Sequence, residues 1–332
     1  MHTDKRKQNT RRTVLKITAV ALAAVLLIST VLFLLSLWER QYGQFTGDEQ
    51  VMEKTLTYMG KEYVLRDGIE TMLVLGLDTY EIQQDENYQN NQQADFLLLL
   101  VMDNQNKTCK AIQINRDTMV DMYVLGVAGE RVGTVNKQIA LSHTYGNGRE
   151  VSCRNTANAV SGLLGVKVDH YLSVAMSAVP EYNDLVGGVT VEVLDDFTSI
   201  DKTMVLGETV TLTGEQALRY VRSRKGLDDP TNQQRMKRQK QYLHGLYASS
   251  RLCMEQQEDF VAKTALAMTD YLVSDCSGNK LESLLTRFTE NELDNILTIT
   301  GEAVEGEEFM EFYPEKESVQ QIVVECFYQL AE

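Results

Sequence analysis

The sequence predicts an α/β sandwich held behind one membrane-spanning helix, and three observations predict it. An uncharged N-terminal stretch is long enough to cross a bilayer, short apolar runs that stop at loops read as buried strands, and glycine-terminated helical segments alternate with those runs.

The spanning element comes first. Ile17 to Leu37 are 21 residues without a charge, about 31 Å of helix, which is the thickness of a hydrocarbon core. Ahead of it stand Lys5, Arg6, Lys7, Arg11, Arg12 and Lys16 against Asp4 alone. That cationic bias keeps residues 1–16 in the cytoplasm, makes 17–38 the transmembrane helix with Trp38 at the far interface, and puts everything beyond it outside the cell membrane. The apolar core exceeds that of a cleaved secretory signal, and no A-x-A-like site precedes Trp38.

The tail carries +5 and the whole chain −15, which leaves −20 on the remainder. Such a domain repels nucleic acid in general, so none is expected as a partner. The five cysteines (Cys109, Cys153, Cys253, Cys276, Cys326) are widely spaced without C-x-x-C, so no zinc or redox motif is expected, and they allow either up to two disulfides or single buried thiols.

Residues 39–70 are polar, glycine-bearing and weakly periodic, and read as a spacer. The domain follows at 71–332. Met72 to Leu77, Phe96 to Met102 and Ala111 to Ile114 read as buried strands. Helices are predicted over Asn155 to Leu164 and Ser177 to Val186, each handing over to a strand, Tyr171 to Val174 and Val189 to Val193. Thr213-Gly214-Glu215-Gln216 has the form of a capping box, so a helix starts there. A long helix runs from Asn232 to about Leu252, a strand pair is predicted over Ile296 to Thr300 and Phe309 to Tyr313, and a last helix begins near Ser318.

The sharpest chemical anomaly lies between Arg219 and Lys240, where eight cations face only Asp228 and Asp229 inside an acidic domain. Arg222 and Arg224 would sit on opposite faces of one helix, so for both to reach one ligand the helix must end between or at them. Arg235, Arg238, Gln239 and Tyr242 recur at i, i+3, i+4 and i+7 and form one polar stripe. The planar guanidinium fork is what bidentate phosphate binding needs, so this region is a phosphate-clamp candidate. A solvated basic face paired with the domain's acids is the competing reading.

Asp78 and Asp95 each stand where an apolar run meets a loop, the place where open α/β sheets gather ligands, and two such carboxylates suit Mg²⁺. Arg116, in Asn115-Arg116-Asp117-Thr118, follows a strand and is free to reach the same edge. No G-x-S-x-G, P-loop or H-E-x-x-H motif occurs, and His2, His143, His170 and His244 lack ligand spacing; His143 and His170 read as core or loop residues.

Taken together, Leu73-Val74-Leu75-Gly76-Leu77-Asp78, Ala94-Asp95-Phe96-Leu97-Leu98-Leu99, Asn115-Arg116-Asp117-Thr118, Leu185-Val186-Gly187-Gly188-Val189, the run Gly214 to Arg224, and Arg235-Met236-Lys237-Arg238-Gln239 resemble the LytR-CpsA-Psr family of cell-envelope proteins. The resemblance implies a three-layer sandwich with a central mixed sheet. It also implies a phosphotransferase that moves a glycopolymer, such as teichoic acid or capsular polysaccharide, from a polyprenyl pyrophosphate carrier to peptidoglycan. By the same resemblance Asp78 and Asp95 would hold Mg²⁺, with Arg116, Arg222, Arg224, Arg235 and Gln239 on the phosphates and an apolar tunnel around the lipid tail. Asp78 or Asp95 would take the acceptor's proton. Two positions depart from the family pattern: Gln93 replaces an arginine and Asn115 a proline. The first departure keeps a non-catalytic binder of polyprenyl phosphate or wall polymer in view. Hydrolysis of the lipid pyrophosphate is a further alternative, and transcriptional attenuation ranks last.

Overall fold

The computed structural model describes residues 52–78, 89–229 and 231–331. The expected tail and spanning helix lie outside these residues; among the described ones no helix is long and apolar enough to cross a membrane.

In chain order, a hairpin of β1 (Thr55–Tyr58) and β2 (Lys61–Leu65) leads into β3 (Ile69–Leu77), β4 (Ala94–Asp103) and β5 (Thr108–Ile114). A second hairpin, β6 (Met119–Leu125) and β7 (Arg131–Gln138), precedes a 3-10 turn (Ile139–Thr144), α1 (Glu150–Leu164), β8 (His170–Ala175) and α2 (Ala178–Leu185). Then come β9 (Val189–Glu192), β10 (Thr209–Leu212), α3 (Gly214–Arg222), α4 (Asn232–Gln256) and α5 (Phe260–Met268). The chain continues through β11 (Leu272–Ser274), α6 (Gly278–Glu290), β12 (Glu292–Thr298), β13 (Gly301–Glu305), β14 (Met310–Pro314), α7 (Lys316–Phe327) and β15 (Tyr328–Leu330).

The six-stranded central sheet has the order β11-β8-β3-β4-β5-β12. β3 pairs parallel with β8 and antiparallel with β4, and β12 pairs parallel with β5, so the sheet is mixed as expected. Its strands are apolar on both faces because both are covered. Leu73, Leu75, Leu77, Leu97 and Leu99 are fully buried on the side of α1 and the 3-10 turn. Met72, Leu98, Leu100 and Ala111 face the other way, into a core shared with Leu284 of α6 and Leu243 of α4.

Local chemistry explains the turns. Asp103 Oδ1 accepts hydrogen bonds from the Gln105 and Asn106 amides at 3.0 and 2.9 Å, folding β4 back onto β5. Between β1 and β2, Met59 and Gly60 both have positive φ, the geometry of a two-residue hairpin turn.

Two expectations are corrected. Part of the supposed spacer is sheet: β2 pairs with β1 on one side and β15 on the other. β1 alternates over only four residues and β2 does not alternate at all, which is why the sequence reads as loop. The predicted partners near 296–313 are both strands, but β12 joins the central sheet while β14 pairs with β13. All five cysteines are free, and burial pushes the thiols of Cys109, Cys153 and Cys326 up to about 12.

Candidate functional site

The site forms at one end of the central sheet. Register between β3 and β4 runs Gly76 to Phe96 and then Leu77 to Ala94, so Asp95 is the extra residue of a β-bulge. A bulge re-aims the side chain it carries, and here the bulged strand lies next to Leu77, whose successor is Asp78. The two strand-end aspartates therefore share one edge.

Arginines from three segments meet them. Arg116, just beyond β5, ion-pairs with Asp95, lies 3.4 Å from Asp117 Oδ1, and donates from Nη2 to Gln93 Oε1 at 2.6 Å. Arg222 Nη2 stands 3.2 Å from Asp78 Oδ2, both half-exposed. The capping box of Thr213 and Gln216 starts α3, and the helix stops at Arg222, with Ser223 extended. That ending satisfies the geometric requirement for Arg222 and Arg224 to serve one locus. Arg235, in the first turns of α4, is buried; it donates to Asn232 Oδ1 at 2.6 Å and reaches the Asp95 carbonyl at 3.4 Å.

These cations feel one another. Burial holds the Arg235 guanidinium down to about 9, and the fields of Arg224 and Arg116 add to it. Arg116 is lowered by burial, with Asp117 and Asp78 opposing and Arg224 reinforcing. Asp117 is raised by burial despite the nearby arginines. Crowded, partly desolvated guanidinium groups are a standing attraction for an anion. Among the described residues Arg235 Nε is buried without a hydrogen-bond partner, as are both side-chain polar atoms of Gln92.

Two members of the expected clamp are committed elsewhere. Arg238 is fully buried: its Nε pairs with Asp195 at 2.9 Å and its Nη1 donates to the Tyr220 carbonyl at 2.8 Å, so it fastens the end of α3 to α4. Gln239 accepts from Gln113 Nε2 and donates to the Val221 carbonyl, both at 3.1 Å. Both supply donors to carbonyls at the end of α3, which a helix C-terminus needs. The remaining cations of the run also divide, Arg219 lying 3.6 Å from Asp201.

Sequence reasoning missed Asn232. Its Nδ2 donates to Asn115 Oδ1 at 2.6 Å while its Oδ1 receives Arg235. The signal was present in Thr231, which caps α4 and so fixes Asn232 in its first turn. Asn115 Oδ1 also accepts from the Asp117 amide at 2.9 Å, a turn-forming bond that a proline side chain could not make.

Behind the charges lies an apolar cavity of about 210 Å³ between the sheet and α4, α5 and α6. Phe96 and Leu98 line it from β4, Leu243, Leu246 and Tyr247 from α4, and Phe288 from α6. Strand β4 and helix α4 thus each carry charged residues at one end and cavity wall further along. From Arg235 to Met254, the last cavity residue of α4, the helix rises roughly 28 Å. Such a site suits an amphiphile with an anionic head. His143 is a core residue, its Nδ1 donating to the Gln92 carbonyl at 3.0 Å.

The model of the LytR_cpsA_psr family matches residues 41–324. A polyisoprenyl-teichoic acid–peptidoglycan teichoic acid transferase of Bacillus subtilis, TagV, is 28% identical over 70% of this chain and 56% of its own length. The chain therefore spans little more than half of that relative. TagU of Bacillus licheniformis, of the same named activity, is 25% identical over 74% of this chain and 72% of its own. The solved B. subtilis TagV superposes with a TM-score of 0.59 at 23% identity, covering 78% of this chain and 95% of that one. TagT bound to LI-WTA gives 0.58 at 22%, covering 78% and 90%. At these identities the structural likeness establishes the fold.

Proposed function

The chain belongs to the LytR-CpsA-Psr family, and from that membership we propose that it is a phosphotransferase attaching a glycopolymer from a polyprenyl pyrophosphate carrier to peptidoglycan. The observation that carries this reading is the juxtaposition of four arginines and two strand-end aspartates with the apolar cavity, since the donor combines a pyrophosphate with an isoprenoid tail. The named activity of the relatives supports it.

In the proposed reaction Arg116, Arg222, Arg224 and Arg235 bind the pyrophosphate oxygens and spread their charge, which is most of what phosphoryl transfer asks of a protein. The acceptor hydroxyl oxygen bonds to the sugar-bearing phosphorus while the bond from that phosphorus to the bridging oxygen breaks. Polyprenyl phosphate leaves with that oxygen, its tail in the cavity. The acceptor's proton passes to Asp78 or Asp95. Both aspartates offer hard oxygen donors on adjoining strand ends, a set that fits Mg²⁺, and the ion when bound would neutralise charge on the phosphate oxygens. Arg116 and Arg222 pair with these carboxylates, and an incoming phosphate gives each guanidinium an alternative partner. The proposal includes a single-pass anchor at 17–38, with the N-terminus cytoplasmic and the domain at the outer face of the cell membrane, where the lipid carrier and peptidoglycan meet.

Gln93 favours a second reading, a binder without turnover, because the position carries an amide that accepts from Arg116 instead of a further cation. The test incubates the protein with a short-chain polyprenyl pyrophosphate sugar and a peptidoglycan oligomer, with Mg²⁺ or EDTA, and follows products by mass spectrometry. Mg²⁺-dependent phosphate linkage is the expected result. Binding without product would replace the transferase with the binder, and free sugar phosphate would replace it with a hydrolase.

A further inference from the structure

A second cluster sits at the other end of the central sheet. β3 begins beside Glu70 and ends beside Asp78, so the two ends lie about 25 Å apart. At the far end His170 opens β8, and Asp275 and Cys276 follow β11, the neighbouring strand. The ligand atoms of these three side chains lie within 4.8 Å of one another. His170 Nδ1 is 3.7 Å from Asp275 Oδ1, and Cys276 Sγ is 3.7 Å from the same oxygen.

Two further contacts give the cluster the form of a built site. His170 turns its other nitrogen, Nε2, to Glu70 Oε1 at 3.2 Å. Glu70 is itself held by Arg287 at 2.7 Å and by Lys280. A carboxylate on the second nitrogen is the arrangement that orients a metal-bound histidine, because it fixes the proton on Nε2 and leaves the Nδ1 lone pair free. That lone pair then faces Asp275 Oδ1, and a metal ion between the two would be shared by both groups. The Tyr171 amide donates to Asp275 Oδ1 at 3.1 Å, so the carboxylate is anchored as well. His170 and Asp275 are each about one quarter exposed, so an ion has access.

We propose that His170, Asp275 and Cys276 form a binding site for a divalent metal of the zinc class, with Glu70 as the outer partner of the histidine. A nitrogen, an oxygen and a sulfur donor select Zn²⁺ over Mg²⁺, and three protein ligands leave a fourth position for water. Binding replaces the Cys276 thiol proton, releasing one proton to solvent. The ion would pin the β11–α6 junction to β8, and α6 carries Leu285 and Phe288 of the cavity wall. His170, which reads from sequence as a core or loop residue, is thereby given a ligand role. The signal is hidden in sequence because its co-ligands lie more than a hundred positions away.

The test titrates the purified full-length chain with Co²⁺, then Zn²⁺. A thiolate-to-cobalt charge-transfer band that Zn²⁺ abolishes is expected, absent in Cys276→Ser and retained in Cys253→Ser. Zinc affinity, measured by competition with a chromophoric chelator, should fall by more than about 100-fold in His170→Ala and by about 10–100-fold in Glu70→Gln. Circular dichroism of each variant checks that it folds, and Asp275→Asn serves where another variant does not. No band in the wild type, or an undiminished band in Cys276→Ser, overturns the assignment.

Discussion

Asn115 Oδ1 accepts a hydrogen bond from Asn232 Nδ2 at 2.6 Å, joining the end of β5 to the first turn of α4. Through the other end of the Asn232 amide this bond positions Arg235. Asn232→Ala should cost about 1–3 kcal/mol of stability, the penalty for unpaired buried polar groups, and weaken phosphate binding. Thermal unfolding and calorimetric titration with a polyprenyl phosphate check it; unchanged phosphate affinity would remove the positioning role.

The arginines should separate by mutation. Arg222→Ala removes an exposed side chain and should change stability by no more than about 0.5 kcal/mol while lowering transfer by at least about 100-fold. Arg238→Ala leaves Asp195 buried without its partner and should cost about 3–5 kcal/mol. Denaturant unfolding beside a product assay distinguishes the two patterns.

Filling the cavity should change which lipids are accepted. Leu246→Trp narrows it at a cost of about 1–3 kcal/mol and should discriminate against long isoprenoids while leaving short ones bound. Affinity measured against chain length reads this directly; an equal loss at all lengths would place the tail elsewhere.

Stability should fall on mild acidification through His143. Burial holds this imidazole down to about 4 from an ordinary 6.5, and the Gln92 carbonyl only partly offsets that. The unfolded chain therefore binds the proton first. The contribution is full above pH 6.5 and is lost as the pH falls towards 4. His143→Gln should flatten the unfolding free energy over that window.

How much of this was legible in sequence depended on range. The capping box at Thr213 and Gln216 was readable because its partners lie three residues apart, and it set the start of α3, the helix that ends at Arg222. The strands from Met72, Phe96 and Ala111 were readable because burial on both faces makes them apolar almost throughout, Gln113 apart. Helical periodicity placed Arg235 and Arg238 on one stripe, but not their neighbours. Only the fold shows that Arg238 turns to Asp195 and the carbonyls ending α3. The bulge at Asp95 was invisible for the same reason, since register is a property of two strands.

The pairing of β2 with β15 bears on how the domain is made. Tyr328 lies opposite Leu65 and Leu330 opposite Tyr63, so the hairpin near the start of the described fold waits for its third strand until some 260 further residues have been synthesised. Closing a loop of that size carries an entropic cost that nearby contacts avoid, and pairings of this range slow folding. The β1–β2 contacts are local, but the free edge of β2 stays open to other strands until the C-terminal segment arrives. During biogenesis that unpaired edge is where a chaperone would be needed, and where a stalled or truncated chain would first aggregate.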